Sequence, residues 1–148
     1  MTQIHLCTAE DAPALHDLLD RFAAEYGLET PPEARQAALA PLLEGSPYGM
    51  AYLLGPARAP VGYVIVTLGW SLELGGMEGW IDEIYIRPSV RGRGLASEAL
   101  FGISRALRDA GVRAIHLEVL RDDTAHHRLY QKAGFRLRDR YSLMTREL

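Results

Sequence analysis

The run Trp80-Ile-Asp-Glu-Ile-Tyr-Ile-Arg-Pro-Ser-Val-Arg-Gly-Arg-Gly-Leu-Ala-Ser-Glu-Ala-Leu100 constrains the fold of this chain more than any other stretch. It joins an apolar strand to an amphipathic helix through the turn Arg91-Gly92-Arg93-Gly94-Leu95-Ala96, and a strand feeding a helix in this way opens a βαβ unit. Glycines let the backbone approach a ligand closely, while the N–H groups of a first helical turn and the helix dipole favour negative charge. The turn is therefore suited to phosphate. Its spacing, Arg91-x-x-Gly94-x-Ala96, fits neither the G-x-x-x-x-G-K-[ST] of nucleotide triphosphatases nor the G-x-G-x-x-G of dinucleotide sites.

Periodicity on either side of that run predicts the remaining elements. Residues 4–7 read as a first strand, and Thr8 with Asp11 three residues on opens a helix whose Ala12, Leu15, Leu18, Leu19, Phe22 and Tyr26 follow a 3/4 spacing up to Gly27. Thr30-Pro31-Pro32-Glu33 reads as a second capping box, starting a helix over residues 34–43 that Pro41 kinks or breaks. Residues 50–54 and 61–68 read as antiparallel strands, and Gly75-Gly76 turns the chain into a fourth strand over 78–86. The helix after the phosphate turn presents Ala96, Ala99, Leu100, Ile103, Leu107 and Ala110 to the sheet and stops at Gly111. A fifth strand over 114–120 is then parallel to the fourth, because a helix joins them. Asp122 or Asp123 caps a last helix running through Lys132, and residues 135–137 and 140–145 read as strands six and seven.

Composition limits what such a chain does. With 148 residues, 48% of them hydrophobic, it can bury one sizeable core, so residues 1–148 are read as one domain. No apolar run reaches the ~18 residues that span a bilayer, and Met1-Thr-Gln-Ile-His lacks the basic start of a signal peptide, which predicts a soluble cytoplasmic protein. The single Cys7, in an apolar strand, reads as an inert thiol in a reducing compartment. Charge is uneven. Residues 1–78 hold three arginines against ten acids, a balance of −7, and residues 79–148 hold twelve arginines and one lysine against nine acids, a balance of +4. A basic C-terminal part suits a polyanion and an acidic N-terminal part a cationic partner, the plainer alternative being ordinary solvated faces. The arginines are not interleaved with aromatics and the net charge is −3, so nothing reads as a nucleic-acid surface.

The phosphate turn, following a strand that ends Ile84-Tyr85-Ile86-x-Pro88, resembles motif A of the GCN5-related N-acetyltransferases (the GNAT family). Downstream, Asp123-x-x-His126-x-x-Leu129-Tyr130-x-x-x-Gly134-Phe135 is similar to that family's second signature, N-x-x-A-x-x-L-Y-x-x-x-G-F, with Asp123 in place of Asn and His126 in place of Ala. The resemblance implies an α/β fold with a central mixed seven-stranded sheet, about four helices and the order β-α-α-β-β-β-α-β-α-β-β. It implies acetyl-CoA as co-substrate and no metal. The pyrophosphate is expected against Arg91, Gly92, Arg93, Gly94, Leu95, Ala96 and Ser97, the pantetheine arm against Ile84, Tyr85 and Ile86, and further cofactor contact from Asp123 and His126. An ionised Asp only accepts hydrogen bonds, so Asp123 cannot supply the donor that Asn would.

Amine attack on a thioester needs a group to take an ammonium proton and an acid for the departing thiolate. The resemblance puts Tyr130 in the acid's place, and its phenol, with an ordinary pKa near 10, is close enough to a thiol near 8.5. Glu83 is the candidate base, as a proton acceptor, through a water, or as the carboxylate that orients the amine, and adjacent Asp82 is the alternative should a bulge re-aim it. A backbone N–H of Tyr85 or Ile86 is available to the thioester carbonyl. His126 and His127 point about 100° apart on a helix and cannot share a metal as an i, i+4 pair could; His116 and Glu118 do not change that reading. Trp70, Glu73 and Glu78 form either an amine-binding edge or ordinary edge packing. Two functions stay open: acetyl transfer to a primary amine of a small molecule, peptide or protein, and a non-catalytic acyl-CoA sensor or interaction module. Neither requires nucleic acid or a membrane, and a homodimer is one assembly open to both.

Overall fold

The computed structural model describes residues 1–148. Five strands pair side by side in chain order: β1 (Ile4–Leu6), β2 (Gly49–Leu54), β3 (Gly62–Ser71), β4 (Gly76–Ile86) and β5 (Ala114–Leu117). The first three pairings are antiparallel, and β4 with β5 is parallel. Chain connection explains the difference. Short turns close β2 onto β3 and β3 onto β4, whereas β5 is reached only after helix α3 (Leu95–Asp109), and a crossover helix returns the chain in the same direction. The sheet is therefore mixed.

Helices cover both faces. On one, α1 (Ala12–Tyr26) and α2 (Pro32–Leu43) set Leu15, Leu18, Leu19, Leu39 and Leu43 against Ala51, Leu53, Tyr63, Ile65 and Tyr85. On the other, α3 sets Ala99, Leu100, Ile103 and Leu107 against Leu54, Val64, Val66, Ile81 and Ile86. Alternation along β2 and β3 feeds both cores, since consecutive residues of a strand point to opposite faces, and strands buried on both sides read as unbroken apolar runs such as Tyr63-Val64-Ile65-Val66. Cys7 is buried at the edge of the first core, and burial pushes its thiol up to about 12, so it is not a nucleophile at neutral pH.

Three expectations need correction. The sheet has five strands, because residues 135–137 and 140–145 pair with nothing and the segment from Arg136 onward is exposed throughout. Arg136 and Arg140 bring charge to the two stretches read as strand, Arg138 and Asp139 lie between them, and a strand exists only by virtue of a partner ladder. Helix α2 begins at Pro32 with Pro31 as its cap and no side-chain cap, so Thr30 does not form the second capping box. Pro41 lies inside α2 without ending it; its ring removes one backbone donor, and the helix runs on only two residues beyond it. Thr8 and Asp11 do form the first capping box, ahead of a short 3-10 turn that leads into α1, and α4 (Thr124–Lys132) is capped by Asp123.

Leu100 is 1% exposed at the centre of the α3 core. Replacing it with Ala removes buried methyl groups and leaves a void, so Leu100→Ala lowers the unfolding free energy by about 3 kcal/mol, within the range of ~2–5 typical of such changes. Urea unfolding monitored by circular dichroism measures it.

Candidate active site

The parallel pairing of β4 with β5 ends at Ile81 and Leu117, while β4 continues to Ile86 with only β3 beside it. Residues 82–86 thus have one open edge. Arg87 donates across to the Val61 carbonyl at 2.8 Å, whereas the Ile86 carbonyl accepts from Nε of Arg91 at 2.7 Å. Alternation along an antiparallel strand then turns the peptide groups of Ile86 and Ile84 to the open edge and those of Tyr85 and Glu83 to β3. Of Tyr85 and Ile86, it is Ile86 whose N–H faces the gap. The gap can receive an extended chain carrying amides.

A β-bulge interrupts β4 where it leaves β5. Ile65 lies opposite Glu83 and Val66 opposite Ile81, which leaves Asp82 as the extra residue, and Asp82 is exposed. The bulge reverses the alternation. Ile81 packs in the α3 core, but Glu83 joins Tyr63 and Tyr85 on the α1 and α2 face. Counting by twos places Ile81, Glu83 and Tyr85 together; the extra residue separates Ile81 from the other two.

Glu83 is half-buried and accepts a hydrogen bond from the Tyr63 hydroxyl, 2.9 Å from Oε1. Burial raises its pKa above the ordinary glutamate range and the Asp82 charge adds to this, while the Tyr63 bond and the Arg35 guanidinium act the other way. Tyr63 and Tyr85 belong to an aromatic cluster with Phe22, at centroid distances of 5.9 to 6.3 Å, and Phe22 contacts Tyr26 at 4.8 Å. Tyr63 and Arg35 were not read from the sequence as site residues. The pairing of Tyr63 with Tyr85, two register positions from Glu83, is the signal that finds the first; nothing local marks the second.

Beyond Ile86 a 3-10 turn over Pro88–Val90 leads to the glycine turn. Gly92 and Gly94 have φ of 77° and 79°, and a Cβ built on either would meet nothing within 4 Å. Space is open above both. The N–H groups of Gly92, Arg93, Gly94, Leu95, Ala96 and Ser97 find no partner within the protein, and no side chain caps α3. Consecutive free donors at a helix N-terminus are an anion cradle. The Arg91 guanidinium does not point into it. Besides the Ile86 carbonyl it binds both oxygens of Glu25 on α1, at 2.7 and 2.9 Å, and stands 5.6 Å over the Tyr85 ring. It braces the turn, although its side chain remains exposed. The donor set and open glycines fit the pyrophosphate of a coenzyme A molecule whose arm would lie along Ile84 and Ile86.

Helix α4 follows β5 and packs Leu129, Tyr130 and Ala133 against the α3 core. Its cap Asp123 accepts from the His126 backbone N–H at 3.1 Å and is also bonded to Nδ1 of the same residue. Those bonds, the backbone one foremost, hold the Asp123 carboxyl below its usual range. His126 stacks on Tyr130 at 6.0 Å, and Phe135 closes edge-on at 6.1 Å. Tyr130 is half-buried; burial raises its phenol pKa, with smaller contributions from Tyr26 and Asp123. His127 binds the Leu120 carbonyl at 3.0 Å, apart from His126. Trp70 is exposed, while Glu78 bonds to His116 at 3.0 Å.

Residues 12–135 match the model of the acetyltransferase (GNAT) family. No curated protein sequence matches. Among solved structures, an integron cassette protein from the mobile metagenome of Cole Harbour Salt Marsh is 33% identical, with 97% of this chain and 90% of that one covered and a TM-score of 0.86. A putative acetyltransferase from Arthrobacter sp. FB24 is 27% identical over 99% of this chain and 96% of its own, at a TM-score of 0.82. The structure of AAC(6')-Iy in complex with the bisubstrate analogue CoA-S-monomethyl-acetylneamine shares the fold at 14% identity, covering 100% and 99%, with a TM-score of 0.82. No helix of the protein is long and apolar enough to cross a membrane.

The raised pKa of Glu83 has a sign that can be checked. The folded state holds its proton more tightly than the unfolded chain, so stability falls as pH rises from the ordinary carboxylate range (~4.3) through the raised value. Glu83→Gln keeps an acceptor for Tyr63 without the buried charge. Its melting temperature should exceed wild type at pH 7, and the difference should vanish below about pH 4.

Proposed function

We propose that this chain, which belongs to the acetyltransferase (GNAT) family, moves an acetyl group from acetyl-CoA to a primary amine by direct attack within a ternary complex. The observation that carries the proposal is the continuity of two open features: the unpartnered N–H groups from Gly92 to Ser97 and the unpaired edge of β4 from Asp82 to Ile86. One suits a pyrophosphate and the other an amide-bearing arm, and they are contiguous in the order in which coenzyme A presents them.

Bound acetyl-CoA supplies the acyl thioester. The chain supplies position and proton handling. A backbone N–H on the open edge of β4, that of Ile84 beside Glu83 or that of Ile86, meets the carbonyl oxygen on which negative charge grows. Glu83 receives the amine on the α1 and α2 face, as base or as orienting carboxylate, with Asp82 as the second candidate. Tyr130 gives its proton to the leaving sulfur; burial makes its phenol a weaker acid than a free one, so this transfer costs more than it would in water. The acceptor is a cation near neutral pH, drawn by the −7 balance of residues 1–78, which include α1 and α2.

Thiol release against a panel of small amines, peptides and proteins tests the proposal. Coenzyme A binding without release from any member would return the chain to the sensor reading. Gly94→Val puts a branched side chain where the anion must approach and strains a φ of 79°; it should abolish the thermal stabilisation that coenzyme A gives the wild type. Tyr130→Phe should lower kcat roughly 10²-fold at unchanged coenzyme A affinity, read by steady-state kinetics and calorimetry.

A further inference from the structure

In the acetyl transfer proposed above, on which this inference rests, Glu83 can act as base or can orient the amine. Glu83 accepts the Tyr63 hydroxyl at Oε1, and as a class carboxylates are weaker bases than imidazoles, with ordinary pKa values near 4.3 and 6.5. One imidazole stands where the strands diverge. His116 lies one residue before Leu117, the last β5 residue paired with β4, and sits opposite Trp80.

Its face of the sheet follows from its neighbours. A Cβ on Gly79 would contact side chains of Val66 and Val112, and Ile81 belongs to the α3 core, so Gly79 and Ile81 face α3. Glu78 and Trp80 alternate with them and face the other way. His116 bonds Glu78 through Nε2 at 3.0 Å and packs on the Trp80 ring at 4.9 Å, which puts the imidazole on the same face as both. The bulge at Asp82 returns Glu83 to that face. Trp80 and Glu83 are two regular steps apart once the extra residue is discounted, and His116 is one strand over. At ~3.3 Å per step and ~4.8 Å between strands, the Cα atoms of His116 and Glu83 are roughly 8 Å apart on one face of the sheet.

We propose that His116, oriented by Glu78, takes the proton that the acceptor ammonium must lose before attack, and that Glu83 orients the amine. With Nε2–H donated to Glu78, the lone pair is on Nδ1, which has no hydrogen-bond partner in the protein. Glu78 is the charged group that β4 turns toward the ring, and Glu118 follows two residues along the chain. A carboxylate on the far nitrogen fixes the tautomer and offsets the positive charge the ring gains, the arrangement by which an imidazole serves as a base. The step balances. One ammonium proton passes to Nδ1 directly or through one water; the freed lone pair forms the N–C bond; the C–S bond breaks with its electrons on sulfur. The sulfur is protonated from Tyr130, which recovers a proton from the new amide nitrogen, and His116 later releases its own to solvent.

His116→Ala tests this, read in kcat and KM for an amine that the wild type acetylates, with coenzyme A affinity followed by calorimetry. Expected are a roughly 10²-fold fall in kcat, KM and coenzyme A affinity within about twofold of wild type, and partial recovery of kcat on adding free imidazole. Glu78→Gln should lower kcat less, about tenfold. If His116→Ala does not fold, His116→Gln, which can still donate to Glu78 but has no basic nitrogen, takes its place and should show the same fall without imidazole rescue. Wild-type kcat in a folded His116 variant overturns the proposal and leaves acetyl transfer standing. A wild type that releases no thiol with any amine overturns acetyl transfer and this proposal with it.

Discussion

One extra residue in β4 organises the candidate site. A regular strand would send Glu83 to the face of Ile81, into the α3 core, where a carboxylate has no partner and burial is costly. The bulge at Asp82 instead aligns Glu83 with Tyr63 and Tyr85, and leaves Asp82 itself exposed. It comes immediately after Ile81, the last β4 residue paired with β5, so the place where the strands part and the place where the side chains change face are the same. Bulges increase local twist and end pairing, which accounts for both consequences at once.

The second constraint is Arg91. The sequence suggests a phosphate ligand, yet its guanidinium links the end of β4, through the Ile86 carbonyl, to Glu25 near the end of α1. That leaves anion binding to backbone donors. The division is physically economical: a guanidinium tied to a carboxylate holds the loop in place, and N–H groups already aimed at open space need no rearrangement to meet an anion. It also joins α1, which lines the proposed acceptor side, to the turn that lines the proposed cofactor side.

Legibility followed the range of the interaction. Helix α1, the glycine turn, the parallel βαβ unit and the positions of the first five strands rest on periodicity and local turn chemistry, both written within a dozen residues, and these were readable. The bulge was not, because Asp82 and Glu83 in an apolar strand are compatible with either register until β3 fixes one. Tyr63, and the bracing contact of Arg91 in place of the expected phosphate contact, lie beyond sequence reasoning for a related reason: each acts through a partner distant in the chain, Glu83 and Glu25 respectively. The sixth and seventh strands were inferred from short apolar stretches among arginines and from the family pattern, and neither supplies the partner edge that would make them strands.

The two departures from the family's second signature turn out to be one. Asn at position 123 would carry a donor and an acceptor on the same side chain; Asp123 has acceptors alone, and both its oxygens are engaged by His126, one with the backbone N–H and one with the ring. An alanine at 126 could not make the second bond. The ring so held stacks on Tyr130, so the substitution at the helix cap is carried three residues on and then four more to the phenol. Positions 123, 126 and 130 lie on one face of α4, as the i, i+3, i+4 geometry of a helix requires. Asp123 and His126 are therefore physically linked beside the candidate acid, and the imidazole occupies space next to Tyr130 that an alanine methyl group would leave open.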